Sequence, residues 1–334
     1  MDKKQVTIIV TVLNKKDTIR NCIDSILNLN YKPNQILIMD NGSSDGTYKI
    51  LQEYGNKIDL FQAPIAHSAL FNMSFDKAKT ELIALTDADC IVDPDWLDEL
   101  IKGFNENEVI ATAGFCGTPK DLSYFQTVIG LELENRFKRF PKYISRAPTM
   151  NLALKTDLAK KVRFDEKQGV DVEVDFGYRL IKFGKMRYMP QAKVYHYHRS
   201  NLKGLFKQQK GYAKWGLRLV YKHGRRAMAD QLTTLSMSIQ IPILSLAFLF
   251  LILSIFDKSL IYISLSFFLI LLILYIKNIF QIKPSLKYYP GFFWLFIVRN
   301  IAWIYGIIEG TLFFIKEFIW PSEKELKEAK KSEF

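Results

Sequence analysis

The stretch LIALTDADC, Leu82 to Cys90, decides how this chain is read. Four apolar residues run into two aspartates one residue apart. Carboxylates that close repel one another, and both stay ionised only where something positive lies between them. Two readings are open at this point. The pair is solvated at a loop tip, or it helps to hold a divalent cation.

The segments around it alternate between two periodicities. VTIIVTVL, from Val6, reads as a strand, and DTIRNCIDSILNL keeps Ile19, Ile23, Ile26 and Leu27 at helical spacing. QILIMD is a second strand, and SSDGTYKILQEY opens a helix with Ser and Asp at capping positions. IDLFQA is a weaker strand, and a helix around SALFNMSFDKAK leads into the opening stretch. Strands alternating with short helices predict an α/β fold with a doubly wound, mainly parallel sheet. Ligands of such sheets bind beyond the carboxyl ends of the strands. Asp40 closes the second strand and Asp87 and Asp89 close the fourth, so three carboxylates gather on one rim. Such a rim suits Mg²⁺ or Mn²⁺, hard cations that take oxygen ligands and leave positions open for phosphate.

Composition bounds the rest. The 334 residues fit about two domains. A formal charge of +12 points to an anionic partner, here assigned to a phosphorylated ligand and a phospholipid surface, not to nucleic acid. Three cysteines (Cys22, Cys90, Cys116) form no CxxC and read as reduced thiols.

The chain divides sharply at about residue 230. No charged residue occurs from Gln231 to Phe256, or again from Ser259 to Ile276. Each run is long enough to span a bilayer, which takes roughly 20 mostly apolar residues. Two buried core helices are the alternative. A third apolar segment, Tyr288 to Ile315, carries Arg299 and Glu309, so it crosses the membrane or lies at its interface. Before the first run, Lys203, Lys207, Lys210, Lys214 and Arg218 recur every three or four residues with Trp215 and Phe206 among them. That pattern suits a helix on an anionic membrane surface. The expected organisation is an α/β domain at 1–200, a basic amphipathic helix at 201–230, membrane helices at 231–256 and 259–280, a spanning or interfacial helix at 288–315 and a charged tail at 316–334. Positive-inside counting places a multi-pass protein with its large domain on the cytoplasmic face.

The ordered set VTIIVTVLNKKDTI, MDNGSSDGT, ALTDADC, APTMNLALKTDLAKKVRFDE and VEVDFGYRLIKFGKMRYMPQAKVYHYH resembles glycosyltransferase family 2, the nucleotide-sugar transferases of GT-A fold. The resemblance covers roughly residues 5–220, and the hydrophobic tail is similar to that of membrane-bound members. It implies that Thr11, Val12 and Asn14 cradle the nucleotide, with Asn72 also at the donor. It implies that Asp40 hydrogen-bonds the base, commonly uracil or guanine, that Asp87 approaches ribose and metal, and that Asp89 ligates Mn²⁺ or Mg²⁺. His196, six residues after Pro190, matches a histidine that joins the metal in some relatives, but VYHYHR also reads as a strand with His196 and His198 stacked on one face. Glu173, six before Arg179, occupies the place of the catalytic base, with Asp171 as runner-up.

Several positions depart from the family pattern. Val172-Glu173 replaces the usual Glu-Asp, Lys15 and Lys16 replace acidic residues, and Phe71 stands where an Arg often precedes Asn72. GYAKW has Gly211 where the acceptor motif of processive synthases has Gln, which argues against a processive polymer synthase. The expected activity is inverting, metal-dependent sugar transfer from a nucleotide sugar to a membrane-associated acceptor, a polyprenyl-linked lipid or glycan. Two other classes compete with it. A catalytically inactive membrane scaffold is suggested by the altered Glu-Asp pair. A sugar nucleotidyltransferase would carry a Gly-rich loop after the first strand, and TVLNKK has no glycine.

Overall fold

The computed structural model describes residues 4–319. The charged tail falls outside them beyond Ile319. Strand β1 (Val6–Val12) is buried at all seven positions, as its β-branched run requires. Helix α1 (Ile19–Leu27) turns Ile19, Cys22, Ile23 and Ile26 into the same core. The unit repeats through β2 (Gln35–Asp40), α2 (Thr47–Gln52), β3 (Asp59–Gln62), α3 (His67–Lys77) and β4 (Leu82–Asp87). There follow β5 (Cys90–Val92), α4 (Trp96–Lys102), β6 (Val109–Gly117), α5 (Tyr124–Phe137), β7 (Tyr143–Ile144), β8 (Leu152–Lys155), α6 (Thr156–Val162), α7 (Val172–Leu180) and β9 (Lys185–His196).

The sheet runs β3-β2-β1-β4-β8-β6-β9-β5, with β7 beside β9. Its β3-β2-β1-β4 half is parallel, as expected. The other half is mixed: β8 opposes both β4 and β6, whereas β6 and β9 run together. Strands β5 and β7 lie antiparallel to β9. Register fixes the rim. Val12 lies opposite Asp40, and Thr11 opposite Asp87, so these side chains share one carboxyl edge. Asp89 does not close β4. It sits in a two-residue turn between β4 and β5, where the chain leaves the parallel sheet to pair Cys90 with His196.

The second half is helical: α8 (Leu202–His223), α9 (Leu235–Leu253), α10 (Leu260–Ile282) and α11 (Tyr289–Ile319). Among the described residues, three helices are long and apolar enough to cross a membrane. The apolar windows of α9 and α10 are only 22% and 17% buried, which removes the buried-core alternative. Leu249 and Ile252 of α9 and Tyr262 and Phe280 of α10 stand exposed, an apolar surface that water tolerates poorly.

Helix α11 is handled differently, because its ionisable residues have partners on the globular part. Arg299 donates from Nη1 to Glu132 Oε1 of α5 at 3.1 Å and from Nη2 to Gln240 of α9 at 3.3 Å. Asn300 extends this buried network to Gln240 and to Tyr275 of α10. Glu309 accepts from Lys210 and Lys214 of α8 at 2.6 and 2.9 Å. Small residues let α8 and α11 approach: a Cβ on Gly306 would lie 2.3 Å from the Lys210 carbonyl, and one on Gly310 2.7 Å from that of Lys214.

These pairs correct the expected lipid-facing stripe on α8. Lys210 and Lys214 bind Glu309, and Arg218 binds Asp165 at 3.1 Å. Among the described residues, only Lys203 and Lys207 of the five lack an ion-pair partner. Helical periodicity alone could not distinguish a lipid-facing stripe from one that meets an acid on a distant helix.

Candidate active site

The rim is built from the ends of β1, β2 and β4. Asp40 is fully buried, and its Oδ2 accepts from the Gly42 and Ser43 amides at 3.0 and 2.9 Å and from Gln62 Nε2 at 2.8 Å. Its Oδ1 has no hydrogen-bond partner among the described residues. Asn14 adopts φ +52, a left-handed conformation that Asn tolerates, and its Oδ1 accepts from the Ser44 amide at 2.9 Å. This clasps the β1 and β2 loops together. Thr11 Oγ1 lies 3.0 Å from His67 Nε2 at the start of α3, a rim contact that sequence reading missed. Buried Val12 carries no polar side chain and contributes its carbonyl, which accepts from Asn41 N at 2.8 Å. Asn72 has a different setting. Its amide donates to Phe164 O and Glu166 Oε1 and accepts from Phe164 N, so it ties α3 to the 164–166 loop.

Asp87 and Asp89 meet the opposite end of the sheet here. Asp87 accepts from Thr149 Oγ1 at 3.2 Å, and burial followed by the neighbouring Asp89 charge pushes its carboxyl up to about 6. Asp89 is held the other way. Burial would raise it, but His196 and Lys15 outweigh burial and keep it well below the usual carboxylate range. His196 Nε2 lies 3.2 Å from Asp89 Oδ1, and Lys15 Nζ lies 2.5 Å from Oδ2. The other ring nitrogen of His196 meets His198 Nδ1 at 3.0 Å, with the rings edge to face. His196 therefore meets His198 edge to face on one side and Asp89 on the other. His198 is buried, and burial followed by the His196 charge presses it down to about 3, so it stays neutral.

These residues fit a divalent cation. Two adjacent ligands of an octahedral ion with bonds of about 2.2 Å lie about 3.1 Å apart, and the Asp89–His196 separation matches that. A cation would also relieve the raised Asp87. Cys90 lies within the same cluster, but burial keeps its thiol protonated, which leaves an oxygen and nitrogen donor set.

Across the rim, Asp171 opens α7 with φ +55, a strained left-handed conformation for a non-glycine residue. Burial and then the Glu173 charge push Asp171 up to about 8, and burial raises Glu173 too. Arg146 opposes both shifts, while its guanidinium is bound to Asp230 and Thr233. Tyr212 of α8 faces the same acids, whose charges raise its phenol further after burial. Arg146 escaped sequence reading because it is an isolated residue in an unremarkable segment, and in GYAKW only Gly211 was weighed, not Tyr212. Asp175, the third acid of the alternation, belongs to another cluster. Burial would raise it, but hydrogen bonds from Lys222, His223 and Arg179 hold it at about 2. A separate cavity of about 620 Å³ is lined by Lys4, Glu81 and Lys155, at the amino ends of the parallel strands.

Residues 7–167 match the model of Glycosyl transferase family 2. That segment is a glycosyltransferase family 2 domain. The match ends before Glu173 and His196. Poly-beta-1,6-N-acetyl-D-glucosamine synthase of Staphylococcus epidermidis is 22% identical over 225 residues, 63% of this chain and 54% of that protein. Hyaluronan synthase of Streptococcus pyogenes is 27% identical over 123 residues, 34% of this chain and 29% of that one. The chain thus spans about half the length, or less, of the curated relatives it matches. A mannosyltransferase from Pyrobaculum calidifontis, solved with GDP-Man and Mn²⁺, superposes with TM-score 0.60 at 13% identity, over 96% of this chain and 88% of that chain. That likeness establishes the GT-A fold with its helical extension.

Proposed function

We propose that this chain is an inverting, divalent-metal-dependent glycosyltransferase that moves a sugar from a nucleoside diphosphate to a membrane-associated acceptor, a polyprenyl-linked lipid or glycan. The observation that carries this reading is the meeting of Asp89 and His196 at 3.2 Å beside the raised carboxyl of Asp87. Asp89 and His196 would hold a Mn²⁺ or Mg²⁺ ion, which would supply Lewis-acid stabilisation to the departing diphosphate. Asp40 offers its unpaired Oδ1 to a base N–H. Thr11, Val12 and Asn14 line the turn beside it, Asn72 braces the loop beneath, and Asp87 stands next to the ribose. Glu173 accepts the acceptor hydroxyl proton as that oxygen attacks the anomeric carbon and the bond to diphosphate breaks, which inverts the configuration. A raised carboxyl suits this task, because it grips the proton once taken.

The membrane arrangement belongs to the same proposal. Helix α11 contacts α5 near Gly291, meets Glu132 at Arg299 and lies on α8 at Gly306 and Gly310. A helix tied to the globular part along its length lies at the interface, leaving α9 and α10 to cross as a hairpin about Asp257 and Lys258. Trp294, Tyr305, Ile308 and Leu312 form its exposed apolar side, which suits lipid. Two crossings keep α8 and α11 on one face, the cytoplasmic one. The two synthases among its relatives support a glycan-building role, and the Mn²⁺ and GDP-Man of the Pyrobaculum structure support this donor chemistry.

The test is calorimetry on the detergent-solubilised full chain with UDP- and GDP-sugars, in Mn²⁺ and in EDTA. Donor binding is expected to be much tighter with the metal, and Asp89→Ala should abolish that difference with the fold intact. Equal binding under both conditions contradicts the reading.

A further inference from the structure

Both oxygens of Asp89 are already engaged by the chain itself: Oδ1 by His196 at 3.2 Å, and Oδ2 by Lys15 Nζ at 2.5 Å. The ammonium is held there by design of the loop. Asn14 turns the backbone through a left-handed conformation, and the Lys15 amide is fixed on Thr47 Oγ1 at 2.8 Å. The Lys15 side chain is 28% exposed, so it can reach the open rim as well as the carboxylate. A divalent ion arriving alone at Asp89 meets a resident positive charge, which opposes it through Coulomb repulsion at close range. A diphosphate removes that conflict. Its oxygens give the ammonium a new anionic partner and lie between the two cations.

We propose that Lys15 couples metal and donor binding: it occupies Asp89 in the free protein and transfers to the donor diphosphate when metal and donor bind together. The inference rests on the donor site proposed above. It makes Lys15 a binding residue for the nucleoside diphosphate and a brake on metal loading without donor. Thermodynamic linkage requires the effect to be reciprocal, so the nucleotide tightens the metal by the factor with which the metal tightens the nucleotide.

The test is titration of full-length protein with Mn²⁺, following the electron paramagnetic resonance of the free ion, with and without UDP or GDP. In the wild type, nucleotide is expected to tighten Mn²⁺ by on the order of 10-fold or more. Lys15→Met should bind Mn²⁺ alone several-fold tighter than the wild type, with the nucleotide enhancement reduced to below about 3-fold. Lys15→Arg, which keeps the charge, should retain most of the enhancement. The proposal is overturned if Lys15→Met binds Mn²⁺ alone no more tightly than the wild type, or keeps the full enhancement. Failure of the donor reading looks different: wild-type protein would then bind neither UDP nor GDP in Mn²⁺, while Mn²⁺ affinity in Lys15→Met still reports on the ion pair at Asp89.

Discussion

Asp171 and Glu173 stand two residues apart at the start of α7, and their environments set the pH at which a base can work there. Burial raises both carboxyls, and Asp171 reaches about 8 under the added Glu173 charge. A base with a raised pKa is lost to protonation as pH falls through it, so the acidic limb of turnover should lie well above the ordinary carboxylate value of about 4.3. Burial alone raises Glu173, and Asp171 is still protonated while Glu173 titrates, so Asp171→Asn should leave that limb where it is, measured as kcat across pH 5 to 9. A limb that moves would mean that Asp171 carries charge, or is itself the base, in the working range. The metal-side residues were more legible than these. Asp40, Asp87 and Asp89 end apolar runs, and strand ends in such a sheet share a rim. Lys15 on Asp89 was not legible, because a loop lysine 74 positions away leaves no periodicity to find.

At the scale of elements, the α8–α11 contact is the joint between the globular part and the apolar helices. Gly306 has no room for a side chain, since its Cβ would sit 2.3 Å from a backbone carbonyl and 2.7 Å from Ala213 Cβ. Gly306→Ala should therefore lower stability by about 1–3 kcal/mol, the usual cost of overpacking, read as a lower melting temperature in detergent. Glycine in a helix ordinarily destabilises relative to alanine, so a higher melting temperature would contradict this packing. Neutralising Lys203 and Lys207 should weaken binding to anionic liposomes by about 1 kcal/mol per charge, whereas neutralising Lys210 and Lys214 should destabilise α11. Sequence reading placed α8, α9 and α10 from charge gaps and helical spacing. It could not assign Arg299 and Glu309, because their partners Glu132, Lys210 and Lys214 come from helices far away in the chain. Neither could it anticipate that β8 enters the sheet against β4, since strand direction is set by connections, not by composition.

For the whole molecule, the reading is a sugar-transfer site held at the membrane by a two-crossing hairpin. Cysteine placed at Lys258 should react with an impermeant maleimide from outside intact cells, while a tag following Phe334 should be protected until the membrane is opened. A tag reached from outside would mean that α11 crosses as well. The central claim is that donor binding and proton removal are divided between the Asp89 side of the rim and Glu173. It is tested most directly by Glu173→Gln in the purified full-length protein, measuring nucleotide-sugar affinity with Mn²⁺ beside the rate of nucleoside diphosphate release. Affinity within a few-fold of the wild type, with release slowed by about 10²-fold or more, is the expected result. Near-normal release in Glu173→Gln, with the loss appearing in Asp171→Asn instead, would contradict it and move the base to the strained residue at the head of α7.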